Sequence, residues 1–126
     1  MKVLLSIKPE YANRIFDGSK KFEFRKSIFK NKNVDKIVVY ASSPMQKVIG
    51  EFEIKRILLN DLDSLWEKTE KYAGISKAYF DSYFINKKIG YAIEVKSIIK
   101  YDEPLCLKND LQIKTPPQSF MYLKSF

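Results

Sequence analysis

Histidine is absent from the 126 residues, and cysteine occurs once, as Cys106. Without histidine there is no Ser-His-Asp triad, no Cys-His dyad and no histidine-rich metal centre; a lone thiol excludes an intramolecular disulfide and a multi-cysteine zinc site. No metal and no other cofactor is expected, and any catalysis must draw on Lys, Asp, Glu, Tyr, Thr or Ser. Long hydrophobic runs are missing too. Ile37–Ala41 and Ile57–Leu59 are among the longest, far below the roughly 18–20 residues that cross a bilayer. Met1-Lys2-Val3-Leu4-Leu5 is too short for the apolar region of a leader and reads as a first strand. The expectation is a cytoplasmic protein with no membrane association. No Pro/Gly/Ser-rich linker, repeat or low-complexity block divides the sequence, so 1–126 is expected to be one domain.

What is present is enough apolar surface for a core, with 45% hydrophobic and 14% aromatic residues. Acidic residues are the scarcer charge. Twenty-three Lys and Arg face 15 Asp and Glu, a formal net charge of +8, which favours a polyanionic partner through phosphate contacts and counterion release. Surplus lysine also serves plain solubility.

The pattern predicts elements in order. Val3–Ile7 reads as a strand, and Pro9 opens a helix with Tyr11, Ala12, Ile15 and Phe16 on one side and Gly18 as its stop. Lys21–Arg25 alternates, placing Phe22 and Phe24 on one face and Lys21, Glu23 and Arg25 on the other. Lys36–Ala41 is continuous enough to be buried on both faces, and Ser42-Ser43-Pro44 breaks it. Val48–Ile57 sets Val48, Phe52 and Ile54 against Glu51, Glu53 and Lys55, the pattern of a strand with one solvated face. A helix is expected over 62–72, capped by Asn60 or Asp61 and stopped by Gly74. A second follows Ser76, with Tyr79, Phe80, Tyr83 and Phe84 in a core-facing stripe. Tyr91 to about Ile99 is the last clear strand, and the tail around Pro116-Pro117 should return as an irregular segment. Short strands with inserted helices give an α+β fold, a small closed or half-closed barrel; the pattern alone also admits a ferredoxin-like sandwich.

The densest polar constellation is Gly18-Ser19-Lys20-Lys21-Phe22-Glu23-Phe24-Arg25-Lys26. Glu23 and Arg25 share a face at i, i+2, so the arginine is placed to pair with the acid or to hold a phosphate. A solvated edge strand with cross-strand ion pairs is the plain alternative. Strict alternation would turn Lys20 away from Glu23 and Arg25; a turn at Ser19–Lys20 after the Gly18 cap removes the conflict. Further candidates to donate to a base edge or phosphate are Ser6, Lys8, Ser42, Ser43, Gln118, Ser119 and Tyr122, although Ser42 and Ser43 are also ordinary turn residues and Tyr122 also suits a core edge. Lys30, Lys32 and Lys87-Lys88 would widen a basic surface.

The segment Gly18-x-Lys20-x-x-Glu23-x-Arg25 resembles the G-x-K-x-x-E-x-R signature of the ASCH domain family, a branch of the PUA-like superfamily. The blocks Leu5–Ala12, Val39–Pro44, Ile49-Gly50-Glu51-Phe52 and Pro116–Tyr122 resemble those of small ASCH proteins, so the likeness covers most of the chain. It implies a PUA-like small β-barrel of mixed strands with inserted helices, and a cleft lined by the signature residues that takes RNA or a modified nucleoside. It implies no single activity, since the family includes amidohydrolases of N4-acylated cytidine, ribonucleases and binding or regulatory modules. In those amidohydrolases a Lys, a Thr and a Glu form the catalytic set; Lys20 matches the Lys by position, and Glu23 stands where they have Thr.

These residues are read as a regulatory module that binds RNA or a nucleotide in a basic cleft. Lys8, Lys20, Lys21, Glu23, Arg25, Ser42, Ser43, Gln118, Ser119 and Tyr122 are the candidate ligand residues. The alternative is a metal-independent hydrolase, a ribonuclease or N4-acylcytidine amidohydrolase, with Lys20 and Glu23 as the catalytic pair.

Overall fold

A computed structural model describes residues 1–124. In chain order the elements are β1 (Lys2–Ile7), α1 (Pro9–Phe16), β2 (Phe22–Arg25), β3 (Lys36–Ala41), β4 (Lys47–Asp61), α2 (Leu62–Thr69) with a 3-10 turn at Glu70–Tyr72, α3 (Lys77–Tyr83), β5 (Ile89–Leu105), α4 (Leu107–Leu111) and β6 (Phe120–Leu123). They build one mixed sheet of order β2-β5-β4-β3-β1-β6. Among the described residues only the β1–β3 pair is parallel, as a crossover through α1 requires. The architecture is α+β.

Period-two alternation explains why the centre of the sheet is apolar on both faces. Val3, Leu5 and Ile7 of β1, with Ile37, Val39 and Ala41 of β3, enter the core beneath α1, beside Ala12 and Ile15. Their alternates Leu4, Val38 and Tyr40 enter a second core with Val48 and Leu107. A third core joins Phe22 and Phe24 of β2 to Leu65 of α2 and Phe80 and Phe84 at the end of α3.

Three expectations change. The first half of β4 has no solvated face: Val48 to Phe52 are all buried, Glu51 included. Its carboxylate is held by Lys2 Nζ at 3.0 Å and accepts from the Tyr101 hydroxyl at 3.2 Å, so a paired acid replaces the exposed one that alternation suggests. Strand β5 runs on to Leu105. Between the pairs Val48–Leu105 and Gly50–Lys100, a bulge takes up the extra residues Tyr101–Pro104, and a proline there gives up no ladder bond. Lastly, the tail contributes α4 and a regular strand, β6, antiparallel to β1; only the stretch between them, with its two prolines, is irregular.

No ladder joins the edge strands β2 and β6 among the described residues, so hydrogen bonding leaves the barrel open there. Side chains bridge the opening. Arg25, the last residue of β2, donates to the Ser6 carbonyl of β1 at 3.4 Å and to the Ser119 carbonyl just before β6 at 3.0 Å.

A candidate ligand site at the open seam of the sheet

The seam begins where α1 ends. Asp17 and Ser19 bond each other, with the Ser19 amide donating to Asp17 Oδ1 at 2.8 Å, and Gly18 adopts φ +88°. That conformation favours glycine and reverses the chain. The Lys20 amide then donates to the Arg14 carbonyl at 2.9 Å, and β2 starts only at Phe22. Lys20 is thereby released from the pleat, as the turn expected at Ser19–Lys20 requires.

Lys20 is 2% exposed. Its Nζ donates to the Ala73 carbonyl at 2.8 Å and lies 4.8 Å from the Phe24 ring centroid. Gly74, at φ +66°, packs so closely on the Lys20 stem that a Cβ there would overlap it, and Arg14 donates to the Gly74 carbonyl at 2.8 Å. Burial lowers the Lys20 pKa to about 8, against the upward pull of the Glu23 charge and with a smaller downward push from Arg14. Glu23, 7% exposed, pairs with Arg25 Nη1 at 3.1 Å rather than directly with Lys20. Arg25 is therefore occupied on three sides, by Glu23, Ser6 and Ser119, and acts first as the fastening of the seam.

A cavity of about 400 Å³ opens at this place. Of the residues singled out from sequence it gathers Ser6, Lys8, Lys20, Glu23, Arg25, Gln118 and Ser119. The Ser6 hydroxyl donates to the Pro117 carbonyl at 2.8 Å and so ties down the tail. Lys21, Ser42, Ser43 and Tyr122 do not line the cavity. Lys21 is exposed, its Nζ 4.2 Å from the centroid of Tyr72. Ser42 and Ser43 form a turn with a cis Ser43–Pro44 bond. The Tyr122 hydroxyl accepts from the Lys30 and Asn31 amides at 3.1 and 3.2 Å, pinning the loop after β2.

The cavity has an aromatic wall that the core-stripe reading of α3 hid. Phe80 and Phe84 are 1% exposed in the core, but Tyr79 and Tyr83 line the cavity with Tyr11. Tyr79 and Tyr83 are near-parallel, 17° apart with centroids at 6.4 Å, and Tyr11 lies 5.0 Å from Tyr79. Lys8 stands 5.3 Å over Tyr79 and Lys26 4.7 Å over Tyr83. Burial raises the Tyr83 pKa, which keeps that ring's hydroxyl protonated. The signal was in the spacing: hydroxylated aromatics at 79 and 83, purely apolar ones at 80 and 84, two flanks of one helix. Among the described residues no cluster of three or more His, Cys, Asp or Glu side chains is placed to hold a metal ion, and no helix is long and apolar enough to cross a membrane.

Fold and cavity together define a PUA-like α+β protein with a candidate ligand site at the open edge of the sheet. The ASCH domain family model matches residues 5–104, and the chain belongs to that family. It is 33% identical over 123 residues to the large ribosomal subunit protein uL22 of Ureaplasma parvum, a match covering 97% of this chain but 39% of that protein. It is 28% identical over 129 residues to an ASCH domain-containing ribonuclease of Zymomonas mobilis, covering 98% of this chain and 84% of that one. The crystal structure of ASCH from Zymomonas mobilis superposes with a TM-score of 0.90 at 28% identity, over 98% of this chain and 87% of that chain.

Proposed function

We propose that this protein binds single-stranded RNA by taking one unpaired nucleotide into the seam cavity. The observation that carries the reading is the wall itself: near-parallel Tyr79 and Tyr83, each with a lysine against its ring, beside a cavity of about 400 Å³. Stacking on tyrosine is available to any base, and Lys8 and Lys26 are positioned for the flanking phosphates. Inside, Glu23 offers a fixed acceptor and Gln118 both donor and acceptor to a base edge. RNA is preferred to other polyanions because a relative matching nearly the whole chain is named as a ribonuclease.

One observation favours a second reading, RNA cleavage at the same place. A buried lysine with a pKa of about 8 is deprotonated in a useful fraction near neutral pH and can serve as a base. Glu23, held by Arg25, then acts as its orienting charge.

The test is incubation of the purified protein with labelled single-stranded RNA and, separately, with N4-acetylcytidine, following binding and product beside Lys20→Ala and Tyr79→Ala variants. Salt-sensitive RNA binding without product, lost in Tyr79→Ala, is the expected result. RNA fragments that vanish with Lys20→Ala establish the ribonuclease instead, and deacetylation establishes the amidohydrolase. Undiminished RNA binding by Tyr79→Ala would overturn the cavity as the binding site.

A further inference from the structure

Ten residues, Lys26 to Asp35, separate β2 from β3, and this loop borders two cavities. Lys26 and Ser27 line the seam cavity; Phe29 to Lys32, with Val34 and Asp35, line a second, of about 380 Å³, completed by Ile54 to Ile57 of β4. Ser27 and Phe29 are two residues apart, so the rims approach within about 7 Å along the chain.

The second cavity has an apolar floor and a basic margin. Phe29 and Val34 are buried, and Ile57 is 37% exposed. Four cations stand around it: Lys30, Lys32, Lys55 and Arg56. Lys55 and Arg56 share one carboxylate, Glu94, at 3.9 and 2.6 Å, and the acid of the margin, Asp35, is taken by the Met1 ammonium at 3.0 Å. Lys30 and Lys32 are exposed and have no ion-pair partner among the described residues. The backbone that carries them is fixed, since Tyr122 accepts from the amides of Lys30 and Asn31 and the Asn31 side chain accepts from Asn33 at 2.8 Å. Two uncompensated lysines on a fastened loop, over an apolar hollow and one step from a nucleotide-sized cavity, suit a phosphodiester chain with a base laid beside it.

We propose that the second cavity holds the adjoining stretch of the same RNA strand, with Lys30 and Lys32 on its phosphates, so that the protein grips a run of nucleotides rather than one. The inference rests on the seam cavity as the RNA site and adds a second subsite and a direction: from the Tyr79–Tyr83 wall, along Lys26, to Lys30 and Lys32.

The test measures binding of a labelled RNA dinucleotide and octanucleotide by fluorescence anisotropy across a salt series, for the wild type, Tyr79→Ala and the double variant Lys30→Gln/Lys32→Gln. Both lysines are exposed, and thermal melts confirm that the fold is retained. The double variant is expected to bind the dinucleotide as the wild type does and the octanucleotide about tenfold more weakly. Its log-log salt slope for the octanucleotide should be shallower by about 1.4, the loss of two single-strand phosphate contacts. Tyr79→Ala should weaken both ligands. Wild-type octanucleotide affinity in the double variant overturns the second subsite while leaving the seam site standing. No binding of either RNA by the wild type removes both proposals. If heparin displaces the octanucleotide as readily as unlabelled RNA of equal charge, the margin is a general polyanion surface and the inference fails.

Discussion

Arg25 donates to the main-chain carbonyl of Ser119 at 3.0 Å, and so joins the last residue of one edge strand to the residue before the other. The same guanidinium holds Glu23, which is scarcely exposed. Sequence alone suggests that Arg25→Ala weakens ligand binding and leaves the fold intact. The geometry changes that expectation, because the substitution frees both edges and leaves a buried carboxylate unpaired. A loss of about 3 kcal/mol is expected in chemical denaturation, together with the loss of RNA binding. A variant as stable as the wild type would show that the seam is held by packing alone.

Lys20 links stability to pH. Its pKa is about 8 in the folded protein against an ordinary 10.5, so between those values the unfolded chain binds more protons than the folded one. Stability therefore rises as pH climbs from about 8 to about 10.5, by up to about 3 kcal/mol. Below pH 8 the cost of the buried ammonium is present in full. Lys20→Met should flatten this rise in urea titrations at a series of pH values, and should be no less stable than the wild type at pH 7. A parallel rise in the variant would show that Lys20 is not its source, and the partly buried tyrosines, whose raised pKa values make stability fall with pH, could not supply it.

The same titration separates binding from cleavage. Charged Lys20 attracts phosphate, so affinity falls as pH passes through about 8, whereas a lysine acting as base gains activity over the same interval. Affinity and any RNA turnover measured from pH 6.5 to 9.5 should move in opposite directions if both occur.

Of the three tyrosines on the cavity, Tyr11 and Tyr83 also pack against the cores, and Tyr79 does not. Tyr79→Ala is expected to cost about 1–3 kcal/mol of RNA affinity, and Tyr79→Phe to retain most of it. Thermal stability should change little beside that of Phe80→Ala, which empties a core position and should lose about 3–5 kcal/mol. Equal affinity losses in Tyr79→Ala and Tyr79→Phe would point to the hydroxyl rather than the ring.

Two glycines provide a contrast. Gly18 and Gly74 both have positive φ, but a Cβ at Gly18 meets nothing within 4 Å, while one at Gly74 overlaps the Lys20 stem. Gly18→Ala should cost only the backbone term of about 1 kcal/mol. Gly74→Ala should cost at least twice that and displace Lys20, seen as a return of its titration toward the ordinary lysine value in NMR of the labelled side chain.

Most of the sheet was legible because alternation and apolar runs report burial directly. Ile37–Ala41 and the turn that frees Lys20 are examples. The buried half of β4 was not, because Glu51 looks solvated until Lys2 and Tyr101, distant in sequence, are brought to it. Strand β6 hid behind two prolines and has no pattern of its own; pairing with β1 makes it a strand. In the site, the signature residues were visible as a cluster, but the division of α3 into a core flank and a cavity flank depends on where β2 lies, which no local pattern contains. Arg25 was legible as a partner of Glu23 and illegible as the bridge to Ser119, for the same reason.

The pairing of β1 with β6 sets Lys2 opposite Leu123, about 5 Å apart as neighbouring strands require. The first and the last strand of the described residues thus bring Lys2 and Leu123 side by side. A host polypeptide can carry such a unit at either end, or between two of its own segments, without stretching around it. The larger ribosomal relative, which matches this chain over less than half its own length, is an arrangement that this geometry permits.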